Sequence, residues 1–103
     1  MPDVTEDATE DVRLTVFVRG RVQGVGFRWW VRSRALELGL AGTATNLDDG
    51  RVQVVAEGQR AAAEQLLGML ESPIPIKERP GHVSGVVAQW KPPTGGMTGF
   101  AER

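Results

Sequence analysis

An α+β two-layer sandwich, with two helices on one face of a mostly antiparallel sheet, is the fold class this sequence predicts. Three observations point to it. Apolar residues switch between a period of two and a period near 3.6 in the order βαββαβ. The two middle strands flank Asp48-Asp49-Gly50, a tight turn suited to an antiparallel hairpin. The chain has 103 residues, enough for one core and too few for two.

The elements follow in order. Residues 1–12 (MPDVTEDATEDV) are polar and acidic and lie at a terminus, which predicts a disordered tail, with the folded domain over 13–103. Residues 14–18 alternate as a strand, with Leu14, Val16 and Val18 on one face and Thr15, Phe17 and Arg19 on the other. From residue 28 to about 38 the period turns helical. Phe27, Val31, Ala35 and Leu38 share a face with Trp30 beside them, and Gly39 suits the left-handed position after a helix. Trp29 points the opposite way, a partly exposed aromatic next to Arg28. Residues 41–47 form the second strand. The return strand, 52–57, turns Val52, Val54 and Ala56 to one face and ends at Gly58.

A second helix is predicted over 59–71, with Ala63, Leu66, Leu67 and Leu70 as its apolar stripe and Arg60, Glu64 and Gln65 towards water. Three prolines make 72–81 a loop, in which Lys77, Glu78 and Arg79 read as solvated surface. His82 has no second ligand nearby and reads as a strand-end residue. A fourth strand over 83–91, interrupted at Gly85, is followed by a flexible connection at 92–96. Residues 99–103 suit a short fifth strand.

Composition excludes several chemistries. There is no cysteine, hence no disulfide, thiolate metal site or cysteine nucleophile, and one histidine leaves little for zinc. No apolar run approaches a membrane span and no signal peptide is visible, so a cytoplasmic protein is expected. The net charge of −1 conceals an asymmetry. Residues 1–12 hold Asp3, Glu6, Asp7, Glu10 and Asp11 and no base; the rest has 12 basic against 8 acidic side chains. Six arginines and no carboxylate fall between Arg13 and Ala35. A solvated basic face is the simple reading of such a run; the glycine loop at its centre favours an anion site that also steers anionic ligands.

That loop is VRGRVQGVGFR, residues 18–28. Gly20, Gly24 and Gly26 can take φ > 0 and leave the backbone open to close approach. A strand, a glycine-rich loop and a helix N-terminus gather free N–H groups where the helix dipole favours negative charge. Arg28, in the first helical turn, adds a planar fork suited to phosphate oxygens. The topology brings in a second residue. A helical crossover makes strands one and two parallel, so the loop and Asn46 share one sheet edge. With the third strand between them, they stand about 9–10 Å apart, two strand spacings.

VRGRVQGVGFR resembles the first signature of the acylphosphatases, and GTATNLDDGRVQVVAEG, residues 42–58, resembles their second. The resemblance covers roughly residues 13–103, including the closing Gly99-Phe100. It implies a ferredoxin-like fold and a metal-independent hydrolase, with no cofactor, that cleaves acyl phosphates into carboxylate and phosphate. It also implies that Arg28 is the phosphate-binding catalytic arginine and Asn46 the residue that orients the attacking water. Backbone N–H groups of Arg21, Val22, Gln23, Gly24 and Val25 would cradle the phosphate. Two positions depart from the family: Thr43 stands where an aromatic is usual, and Thr45 where a basic or long residue is common. Altered stability or substrate affinity is expected from them, and retained activity.

The chemistry suits such a site. A carboxylate leaving group needs no general acid, and phosphoryl transfer mostly needs oriented oxygens, charge stabilisation and an in-line water. Asp48 and Asp49 belong to the turn, and no P-loop or carboxylate cluster for magnesium appears. The partner expected is a small acyl phosphate, with no membrane or nucleic acid, for a monomer. Two other readings compete. One is a phosphate-ligand binding module with little turnover, as in larger carbamoyl-transfer maturation proteins, whose other domains this chain is too short to hold. The other is an RNA-binding domain, disfavoured by strand centres of Val, Leu and Thr, an isolated Phe17 and no RNP1 pattern.

Overall fold

The computed structural model describes residues 10–73, 76 and 78–103. Its elements are β1 (Asp11–Arg21), α1 (Phe27–Glu37), β2 (Ala41–Asn46), β3 (Val52–Gln59), α2 (Arg60–Glu71), β4 (His82–Lys91) and β5 (Phe100–Glu102). The sheet order is β4-β1-β3-β2-β5. β3 pairs antiparallel with both β1 and β2, so those two run parallel on either side of it, as the crossover requires. β4 adds antiparallel to β1, and β5 adds parallel to β2. The α+β sandwich expected from periodicity is present, with five strands and two helices.

The alternation that predicted the strands is the alternation that builds the core. Val12, Leu14, Val16 and Val18 of β1 and Val52, Val54 and Ala56 of β3 are at most 3 % exposed. Phe27, Trp30, Val31 and Ala35 of α1 and Ala63, Leu66 and Leu70 of α2 cover them. Each Val, Leu or Phe so buried stabilises by about 1.5–3 kcal/mol, enough to hold the strand register against a slip that would turn the whole set to solvent. α1 is C-capped at Leu38, with Gly39 left-handed at φ 76°, as predicted.

Several local expectations are corrected. β1 begins at Asp11, inside the segment expected to be tail; residues 1–9 of that segment lie outside the described residues. Val12 pairs with Gly58 and continues the buried face, so one more valine extends the strand. For the same reason β3 runs past Gly58 to Gln59, which pairs with Asp11. Arg60 does not face water: its guanidinium lies over the Trp90 ring, 5.1 Å from the centroid. Arg79 is not solvated surface either. It reaches back to donate to the Met69 carbonyl at 2.8 Å, satisfying an acceptor of the last turn of α2. Lys77 lies outside the described residues.

The connection at 92–96, expected to be flexible, is pinned. The Glu57 carboxylate, buried on β3, accepts from the Thr94 N–H at 2.8 Å, the Thr94 hydroxyl at 2.9 Å and the Gly95 N–H at 3.3 Å. Arg13 stands 3.6 Å away. Burial pushes this carboxyl up, but the Thr94 and Gly95 donors and the Arg13 charge outweigh it, leaving it below the ordinary carboxylate range. This pin directs the chain towards β2, where β5 docks.

Candidate active site

The loop leaves β1 after Arg21, which is exposed and pairs with His82. The Val22 side chain is 1 % exposed and anchors the loop in the core. Gly24 at φ 74° and Gly26 at φ 85° are left-handed, and a Cβ at either would meet open space. Glycine is needed there for conformation, and the exposed backbone it leaves is open to a ligand. Gly20 serves another purpose. A Cβ there would lie 2.1 Å from the His82 carbonyl oxygen, so its glycine permits the close approach of β4 beside the register shift at Arg19/Gly20.

Gly26 also stands at the N-cap of α1, whose first bond runs from the Trp30 N–H to the Gly26 carbonyl at 3.1 Å. The N–H groups ahead of it lack an intrahelical acceptor, and no acidic side chain sits in the first turn. The dipole's positive end is therefore uncompensated beside the loop. Trp29, 58 % exposed, projects from this turn, whereas Trp30 is buried and stacked on Phe27 at 6.0 Å between centroids.

Four hydrogen bonds bring the sequence-predicted residues together. The Gln23 side-chain amide donates to the Leu47 carbonyl at 2.8 Å and the Arg51 carbonyl at 3.0 Å, clasping the loop to the β2–β3 turn. Asn46 is the last residue of β2, and its N–H donates to the Arg103 carbonyl at 3.0 Å. That same carbonyl accepts from Arg28 Nη1 at 2.5 Å. One acceptor therefore gathers Arg28 and Asn46 from two elements. The Asn46 side-chain oxygen, Oδ1, is buried with no hydrogen-bond partner among the described residues.

The arginine run divides among different tasks. Arg13 neighbours Glu57, and Arg34 binds Glu37 through two bonds of 2.9 and 2.8 Å. Arg28 and Arg32 donate to main-chain oxygens of the closing segment, those of Arg103 and Phe100. In the hairpin, the Arg51 N–H and then its guanidinium hold the Asp49 carboxyl below its ordinary value, the turn role expected of that aspartate. Thr43 and Thr45 alternate with Ala44 and Asn46, so both departures from the family pattern lie on the sheet face away from Asn46. Sequence reasoning missed the side-chain clasp of Gln23 and the roles of Arg32 and the Arg103 carbonyl. The glutamine was visible within the motif, but its acceptors are main-chain atoms.

A left-handed glycine loop, an uncompensated helix N-terminus and an arginine are set together on the split βαβ sheet of an α+β sandwich. The chain belongs to the acylphosphatase family: residues 14–102 match the model described as Acylphosphatase. It is 63% identical over 94 residues to an acylphosphatase of Thermobifida fusca, covering 91% of this chain and 99% of that relative. An acylphosphatase of Acidothermus cellulolyticus is 60% identical, over 98% of this chain and 93% of its own. Among solved structures, an acylphosphatase from Bacillus subtilis superposes with a TM-score of 0.77 at 32% identity, covering 89% of this chain and 98% of that one.

Proposed function

We propose that the chain hydrolyses acyl phosphates, with residues 21–25 and Arg28 holding the phosphoryl group and Asn46 orienting the attacking water. The observation that carries this reading is the shared Arg103 carbonyl, which sets the Arg28 guanidinium beside Asn46 while Asn46 Oδ1 stays buried and unsatisfied. A buried acceptor without a partner costs about 1–3 kcal/mol, and a water donating to it would recover that cost in place. Arg28 spends one N–H on Arg103, and its remaining donors suit phosphate oxygens. The relatives' name and the family match support the same substrate class.

The reaction balances without a side-chain base. Water held at Asn46 attacks phosphorus in line, the bond from phosphorus to the acyl oxygen breaks, and the carboxylate leaves with the electron pair. The water's proton passes to a phosphate oxygen. Arg28, the loop N–H groups and the α1 N-terminus stabilise the charge spread over the transferring oxygens. We place the chain in the cytoplasm as a monomer. The lack of cysteine frees the fold from any oxidising compartment, and the edge strand β4 carries a bulge and Lys91, features that discourage edge pairing. Hydrolysis in ¹⁸O-water tests the route: the label should enter phosphate alone. Label in the carboxylate would mean attack at the carbonyl carbon and would overturn the assignment of Asn46.

A further inference from the structure

We infer that Arg32, acting through the main chain of β5, is a positioning residue for both Arg28 and Asn46. The inference rests on the assignment of those two residues above. Arg28 and Arg32 stand four apart on α1 and so share a face. Each donates to a carbonyl of the closing segment, Arg28 to Arg103 at 2.5 Å and Arg32 Nε to Phe100 at 3.0 Å.

β5 has three residues and lies at the edge of the sheet, with only β2 beside it. It is held on that side by Gly42 N–H to Gly99 at 2.9 Å, Arg103 N–H to Ala44 at 2.7 Å and Asn46 N–H to Arg103 at 3.0 Å. So short an edge strand is of the kind that opens first in a fold. Arg32 grips it from α1, beside the buried Phe100 ring. The grip fixes where the Arg103 carbonyl stands. That carbonyl in turn sets the direction of the Arg28 guanidinium and the height of Asn46. Arg32 thus fixes the geometry of both groups while its own Nε is engaged on the main chain.

The test compares kcat, KM and the inhibition constant of inorganic phosphate for benzoyl phosphate hydrolysis, with an unfolding curve for every variant. Arg32→Leu, which keeps the stem and loses the donors, should lower kcat/KM about 10- to 100-fold, the scale of an ångström-level misplacement. KM and the phosphate inhibition constant should both rise. Arg32→Lys, which keeps a donor, should recover most of the loss. Arg103→Pro removes the N–H bonded to Ala44 and loosens β5 while leaving Arg32 intact, so it should reproduce the rise in KM if Arg32→Leu folds poorly. In an Arg28→Gln background, Arg32→Leu should raise KM no further.

A merely structural role lowers the amount of folded enzyme and so reduces kcat with KM unmoved. That outcome, native kinetics in Arg32→Leu, or a KM rise of equal size in the Arg28→Gln background would overturn the proposal. Native kinetics in Arg28→Gln itself would overturn the active-site assignment instead.

Discussion

At Asn46 a structural bond and the proposed chemical role fall on one residue. Its N–H is used structurally, on Arg103, while its buried Oδ1 is held without a partner. Asn46→Ala should therefore lower kcat by about 10²–10³. Its unfolding midpoint should move little, since the Oδ1 that is lost has no protein partner among the described residues. Steady-state kinetics beside thermal unfolding checks both, and a lowered midpoint with native kcat would return Asn46 to a purely structural role. The sequence made Arg28 and Asn46 legible because each sits in a motif with a physical purpose. Arg32, the Gln23 clasp and the Arg103 carbonyl were not legible, since each works through a main-chain acceptor that any residue supplies.

Among the elements, the loop, the hairpin and β5 are separate pieces that must be tied together. Gln23 ties the first two with bonds to Leu47 and Arg51. Gln23→Ala should cost about 0.5–1.5 kcal/mol in a urea titration, since the Leu47 and Arg51 carbonyls each keep a backbone donor, and should lower kcat/KM as well. A stability loss with native kinetics would limit the clasp to a structural role. Glu57 ties down the approach to β5. Its carboxyl is depressed in the folded state, so its stabilisation is present above the ordinary carboxylate range and is lost as pH falls through that range and below. The native chain's urea midpoint should drop more steeply on acidification from about pH 6 to 3 than that of Glu57→Gln; parallel profiles would contradict the pin. Strand alternation and the helical stripes were plain in the sequence. Element ends were not, because Val12, Gly58 and Arg79 take their positions from partners distant in the chain.

For the whole molecule, sheet order does the work of assembly. Placing β3 between β1 and β2 brings the loop and Asn46, 18 residues past Arg28, to one edge. That much follows from a crossover and a hairpin. The parallel docking of β5 beside β2 does not follow from three residues of sequence, and it brings the Arg103 main chain to Arg28 and Asn46. The most direct measurement is benzoyl phosphate hydrolysis by the purified full chain in excess chelator, with Arg28→Gln alongside. The account predicts rapid turnover by the native chain and a loss of about 10²–10³ in the equally folded variant. No turnover by the folded native chain, or undiminished turnover by the variant, would contradict it.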